Sequence, residues 1–334
     1  MKTIPKVSFS LFLCILPIIC AFFALCVGRY WIEPVDVYGA FRTFFGYPVD
    51  STVLSVVINI RLPRIILALL VGAGLAVAGT AFQATFANPL ASPDIIGVSS
   101  GAAFGAAIGL LLFENMFPVQ VLAIFFGLLA VTITFSFSKA AKTDSVLMIV
   151  LAGIIVSGFF TAMISQVKYI SDPLLKLPVI TFWLMGSMAG ANYDKILLAA
   201  PQLIVGIFLI VILRWRLNIL ALSDEEITSL GINPKQTRWM IIVAGTLIVA
   251  ATVSLCGQIG WVGLVIPHVA RVIYGEDNRY VIPASTSIGA CFLLIMDTLC
   301  RTISAAEVPL SIMTATIGAP VFAYLFLRKG RSWI

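Results

Sequence analysis

Ten stretches of this chain contain no Lys, Arg, Asp or Glu: residues 7–28, 65–93, 95–113, 115–138, 145–167, 177–193, 196–213, 239–270, 280–296 and 308–327. Each is a candidate for crossing a hydrocarbon core of roughly 30 Å as a helix, the element that satisfies its own peptide groups in lipid. Ten such runs in 334 residues exclude a soluble domain and a peripheral anchor. The mean hydropathy of +1.08 agrees. The chain is therefore predicted to be an all-α integral membrane protein, with residues 1–334 forming a single transmembrane domain.

The crossings can be counted by parity. The run at 7–28 follows Lys2 and Lys6 but is longer than a typical signal h-region and lacks an A-x-A site, so it reads as a retained first helix. The run at 239–270 would be about 48 Å long as one helix, too much for one crossing, and Gly257-Gln258-Ile259-Gly260 is its natural turn. Splitting there gives eleven segments. Lys2 and Lys6 at one end and Arg328, Lys329 and Arg331 at the other place both termini on the cytoplasmic side, which requires an even number. The segment 177–193, short and interrupted by Pro178, Gly186 and Gly190, is the one demoted to a re-entrant or surface helix. Ten spanning helices remain. This topology puts 13 of the 21 Lys and Arg residues inside, and leaves Arg61 and Arg64 outside against the usual bias.

The net charge of +6 is scattered between apolar runs, unlike the concentrated face of a nucleic-acid binder. The six cysteines all lie within apolar runs with no C-x-x-C spacing, and the chain has one histidine, so neither a disulfide framework nor a metal site is expected.

The longest polar connection, 214–238, holds Asp224-Glu225-Glu226 followed by Gly231 and Pro234. It reads as a solvated loop, or as a short helix with an acidic start and a glycine stop that could dock into another protein. Gly97, Gly101, Gly105 and Gly109 form a small-residue stripe suited to close helix packing. Gly97-Val98-Ser99-Ser100-Gly101 also matches the G-x-S-x-G elbow, but its flanks read as a helix start and an apolar helix rather than strand-turn-helix. His268 reads as an interfacial helix end. Asp297 and Arg301, at i and i+4, are expected to pair near the outer end of their helix. No G-x-x-x-x-G-K-[ST] is present, so any dependence on ATP must come from a partner. A secondary transporter, a channel and the membrane half of a pump all stay open on these grounds.

Five segments in order resemble the FecCD-type permeases of ABC importers, which carry ferric siderophores, haem and vitamin B12. They are Arg61-Leu62-Pro63-Arg64, Gln83 through Asn88-Pro89-Leu90-Ala91-Ser92-Pro93, Gly97-Val98-Ser99-Ser100-Gly101-Ala102, Gly260-Trp261-Val262-Gly263-Leu264-Val265-Ile266-Pro267-His268, and Gly318-Ala319-Pro320. The resemblance implies ten helices per subunit and a type II importer architecture in the prokaryotic plasma (inner) membrane. It implies a second copy of the chain, two cytoplasmic ATPase subunits that hold ATP and Mg, and an external substrate-binding protein. This chain itself would bind no cofactor and catalyse no reaction.

By the same resemblance, Arg61, Arg64 and Arg301 match external arginines that meet acidic residues of the binding protein. Asp224, Glu225, Glu226 and Gly231 fall in the loop that contacts the ATPase. Asn88, Pro89 and Leu90, with Thr143, Asp144 and Ser145, match the inner gate. The cargo implied first is a ferric siderophore, with haem, cobalamin or a metal oxyanion as alternatives. An ion-coupled secondary transporter is the alternative from another class, and it would need ionisable groups near the midplane.

Overall fold

A computed structural model describes residues 6–43, 49–140, 146–304 and 306–329, and those residues are helical or irregular, without a strand. In chain order the helices are α1 (Lys6–Cys26), α2 (Pro34–Arg42), α3 (Ser51–Leu54), a π-helical segment (Ser55–Arg61), α4 (Leu62–Thr85), α5 (Val98–Leu112), α6 (Met116–Ala140), α7 (Val146–Ile170) and α8 (Lys176–Leu184). They continue with α9 (Tyr193–Ile219), α10 (Asp224–Ser229), α11 (Pro234–Cys256), α12 (Val262–Tyr274), α13 (Asn278–Ile303) and α14 (Leu310–Lys329).

Among the described residues, six helices are long and apolar enough to cross a membrane: Ser51–Thr85, Met116–Phe137, Met148–Ile170, Tyr193–Ile219, Pro234–Cys256 and Asn278–Ile303. Leu13–Cys26, Val98–Leu112, Val262–Tyr274 and Leu310–Leu325 are shorter apolar helices. The 13 residues of α12 rise about 20 Å, so length alone does not carry that helix across a full hydrocarbon core. α8 has nine residues and ends in a turn at Gly186, where φ is +77°, as expected of a segment that does not cross. The break at 257–261 also falls where the glycines place it, with α11 ending at Cys256 and φ at +70° for both Gly257 and Trp261.

Two boundaries differ from the sequence reading. The helix leading into the 65–93 run begins at Ser51, upstream of the two arginines, and stops at Thr85. Residues 86–97 then form a chain of turns, so Pro93-Asp94-Ile95-Ile96 is not a helix start and α5 begins only after Gly97 at φ +90°. The prolines and the asparagine of this stretch favour turns, which apolar content alone does not reveal.

α4 lies centrally, packed against α9, α11, α12 and α13, and is buried on nearly every side. Glycines make this possible. A Cβ on Gly72 would overlap the Gly289 carbonyl of α13, and one on Gly79 would overlap the Gly263 carbonyl of α12. The α5 stripe works the same way against α6: a Cβ at Gly101 would lie 2.5 Å from the Phe126 carbonyl oxygen, and one at Gly109 would lie 2.7 Å from Val119 Cα. Gly97 is not part of that face, because it sits in the preceding turn against Val156 of α7.

One helix-interior proline is compensated by a side chain from another helix. Pro17 in α1 has no N–H for the Leu13 carbonyl one turn back, and the Ser287 hydroxyl of α13 donates to that oxygen at 2.7 Å. This bond fixes α1 against α13.

Candidate functional site

Two polar clusters lie at opposite faces of the helical body. The first gathers around the C-terminus of α1, whose last carbonyls have no intrahelical donors and carry the negative end of the helix dipole. The Arg61 guanidinium donates to the carbonyls of Leu25, Cys26 and Tyr30, with the Cys26 contact at 3.0 Å. Arg301 donates to the Ala24 carbonyl. Two arginines from distant helices thus cap one helix end.

Arg64 turns the other way, into the α4–α13 seam. Its Nε lies 3.0 and 2.8 Å from the two Asp297 oxygens and its Nη2 lies 2.8 Å from Oδ1, while Nη1 meets both Glu307 oxygens at 3.1 and 3.0 Å. The Asp297 side chain is 1% exposed and that of Glu307 is 29% exposed. Glu307 also has a left-handed backbone at φ +55° in the turn between α13 and α14.

This geometry corrects two expectations. Asp297 pairs with Arg64 of α4, not with Arg301 one turn along its own helix. The close approach at Gly72 and Gly289 lets Arg64 take both carboxylate oxygens, which outcompetes a single i,i+4 contact. In addition, Arg61, Arg64 and Arg301 are not exposed cations: they are 4%, 8% and 8% accessible and engaged with groups of this same chain. Helix capping and a buried acid pair account for arginines that the distribution of loop charge leaves unexplained.

The second cluster is at the α10 face. Ser223 caps α10 in a reciprocal capping box with Glu226, whose carboxylate accepts from the Ser223 N–H at 2.9 Å while the Glu226 N–H donates back at 3.3 Å. The helix ends in a Schellman turn: Ile232 N–H donates to the Ile227 carbonyl at 3.3 Å and Gly231 N–H to Thr228 at 2.9 Å, with Gly231 at φ +76°. Ile227 is fully buried, whereas Asp224, Glu225, Glu226 and Gly231 are exposed. Arg238 of α11 grips Asp224 at 2.7 and 3.1 Å, and this hydrogen-bonded cation holds the Asp224 carboxyl below its usual range. α10 is a short acidic helix projecting on a rigid mount.

Beside it is a cleft of about 480 Å³ between the 86–90 turn and the ends of α9 and α12. Asn88 closes an Asx turn by accepting from Leu90 N–H at 2.9 Å, and Ala87 is left-handed at φ +45°. His268 Nε2 lies 2.9 Å from the Pro89 carbonyl oxygen, and Arg271 donates to Gln83 Oε1. His268 is thus a buried mid-helix clamp on the turn, not an interfacial helix end. Asn218 at the end of α9 donates to Asp277 at 2.7 Å and accepts from Asn278 N–H at 2.8 Å, tying α9 to the α12–α13 turn. Asn88 and Pro89 therefore share a cleft with residues that sequence reading did not assign to the gate, and Leu90 is tied to them through the Asn88 side chain. Thr143, Asp144 and Ser145 lie outside the described residues.

Ser99 donates to the Asp94 carboxylate, while His268 is held on Pro89. The elbow motif thus lies in a turn-helix junction, and its serine hydroxyl is bonded to a carboxylate five residues back rather than to a base.

The model of the FecCD transport family matches residues 15–328. The chain belongs to the FecCD transport family. It is 39% identical over 328 residues to the molybdate import system permease protein MolB of Haemophilus influenzae, covering 98% of this chain and 97% of that one. It is 36% identical to the hemin transport system permease protein HmuU of Yersinia pestis, covering 87% and 88% of the two chains. A solved inward-facing structure assigned to a metal-chelate type ABC transporter superposes with a TM-score of 0.87 at 38% identity, covering 97% of this chain and all of that one. This FecCD chain is a multi-pass membrane permease subunit of an ABC importer, a transport subunit and not an enzyme. Its fold is that of the type II importer permeases.

Proposed function

We propose that this permease forms a homodimer that takes a ferric siderophore or related iron chelate from an external binding protein, driven by two ATPase subunits beneath α10. The α10 face is then cytoplasmic, both termini lie on that side, and ATP and Mg stay on the partners. One observation carries the reading: an exposed acidic helix, capped at both ends and braced by Arg238, projects from a body of apolar helices. Such a helix transmits a push without bending. Asn218 sits on the last turn of α9, two residues before the connection to α10 begins, and holds the α12–α13 turn, while His268 holds the Asn88-Pro89-Leu90 turn. A displacement of α10 thereby reaches the gate through packed elements.

The docking role of the arginines takes a modified form. Glu307 is the partly exposed member of the outer cluster, so an acidic side chain of the binding protein would exchange with Glu307 on Arg64, while Arg61 and Arg301 hold the platform.

A second reading of cargo, a metal oxyanion, is favoured by the full-length similarity to a molybdate permease. Reconstitution of the permease with its ATPases and binding protein in vesicles separates the readings. Uptake of labelled ferric chelate that requires ATP supports the first, uptake of molybdate supports the second, and uptake without any ATPase contradicts the importer assignment.

A further inference from the structure

A cavity of about 590 Å³ opens between α1, α9 and α13, away from both polar clusters. α1 and α9 each pack on α13 and leave a trough between them. Its walls are mostly apolar, from Leu13 and Pro17 of α1, Val211 of α9 and Pro283 of α13, and the hydroxyls of Thr286 and Ser287 that also line it are bonded to the Ile282 and Leu13 carbonyls. Its end nearest the α10 face is lined by Arg214 and Arg279. Arg279 is held by Asp277 at 2.6 Å, so its charge is partly answered within the chain. No hydrogen bond or ion pair of the Arg214 side chain is found among the described residues, yet that cation faces a trough otherwise built for hydrocarbon.

We propose that this trough is a binding site for an anionic phospholipid, with the phosphate on Arg214 and Arg279 and an acyl chain along Leu13, Pro17, Val211 and Pro283. The shape carries two chemistries in the order a lipid presents them: a cationic mouth at one end of a spanning helix, then an apolar channel parallel to it. Basic pockets between membrane helices at the interface recognise anionic headgroups. A second protein chain fits less well, because an apolar partner helix would leave Arg214 buried without an acceptor. The Ser287–Leu13 bond keeps α1 on α13, so the trough is built into the fold.

Native mass spectrometry of the purified permease dimer, incubated with phosphatidylglycerol or phosphatidylcholine, tests the site. Wild type is expected to retain phosphatidylglycerol preferentially and to melt at higher temperature in its presence. Arg214→Gln is expected to lower that retention about fivefold, the equivalent of one basic residue near a membrane surface, while Arg214→Lys keeps it. Equal retention of the two lipids, or unchanged retention in an intact Arg214→Gln dimer, overturns the proposal. So does a thermal shift reproduced by inorganic phosphate alone, which would identify a free-anion site. Crosslinking of Val211→Cys between protomers would show the trough to be a dimer seam and also overturns it.

Discussion

Arg64 and Asp297, 233 residues apart in sequence, meet in a two-pronged contact of 2.8–3.0 Å inside the α4–α13 seam. Removing Arg64 leaves Asp297 buried and unpaired, whereas removing the Asp297 charge leaves Arg64 with the partly exposed Glu307. Arg64→Gln is expected to destabilise the permease by about 3–5 kcal/mol, and Asp297→Asn by less, because Glu307 still answers the guanidinium. The double substitution should cost less than the sum, since neither charge is then stranded. Thermal melting of the detergent-solubilised permease measures all three.

Glu307 shares Arg64 without being buried with it. Glu307→Gln should leave melting nearly unchanged and raise affinity for the binding protein by several fold, because the neutral amide competes less well for the guanidinium than an incoming carboxylate. That gain should shrink with salt, as screening over about 8 Å at 0.15 M ionic strength weakens the incoming pair. By contrast, Arg61→Glu and Arg301→Glu should fail at folding, since each places a carboxylate among the α1 carbonyls. A binding titration over a salt series, with dimer integrity checked in parallel, distinguishes these outcomes. Unchanged affinity in an intact Glu307→Gln dimer removes the exchange at Arg64.

At the opposite face, Gly231 has no neighbour within 4 Å of where a Cβ would stand, so its requirement is conformational rather than steric. Its φ of +76° costs a β-branched residue about 1–2 kcal/mol. Gly231→Val should therefore unwind the Schellman turn and reduce ATPase stimulation by loaded binding protein, with normal insertion. Gly231→Asn, which visits the left-handed region more readily, should retain most of it. Equal stimulation in wild type and Gly231→Val takes this turn out of coupling.

How much of this was legible in the sequence follows from which forces are local. The α11–α12 break, the non-crossing α8 and the capped α10 are set by glycine, proline and side-chain capping within a few residues, and all three can be read along the chain. The partner of Asp297 cannot, because it depends on how closely two helices approach, and Gly72 and Gly289 are far apart in sequence. The α1 cap was hidden for the same reason: Arg61 and Arg301 looked like outward charges until their acceptors, carbonyls that any sequence contains, were placed beside them. His268 could be noticed as the only histidine but not assigned, since its contact is another backbone carbonyl.

Asp277 gives a pH signature. Hydrogen bonding to Arg279, then to the Arg279 N–H and Asn218, pulls its carboxyl down from 3.8 to about 2. A group depressed on folding stabilises the folded state above its unfolded pKa, and that contribution is lost as pH falls through the folded value. The difference in melting temperature between wild type and Asp277→Asn should be constant above about pH 5 and shrink between about pH 4 and pH 2. Asparagine keeps the N-cap of α13, so the comparison isolates the charge. A difference that does not vary across this range would show that the Arg279 contact contributes no net stability.

The last contest is between packing and chemistry on α5. Gly105 has the Leu122 carbonyl of α6 where a Cβ would go, backbone that cannot rotate aside. Gly105→Leu must separate α5 from α6 along a stripe that also includes Gly101 and Gly109, and the dimer yield should fall steeply. Overpacking of this kind costs typically about 1–3 kcal/mol even in cores that can adjust, and backbone against backbone leaves less room to adjust. Ser99, the second residue of α5, loses only a hydroxyl bonded to Asp94 when changed to Ala. Ser99→Ala should fold and keep most of its transport in reconstituted vesicles. A stable Ser99→Ala dimer with no transport would assign the hydroxyl a gating or covalent role, whereas normal assembly of Gly105→Leu would show that α5 and α6 do not need their close contact.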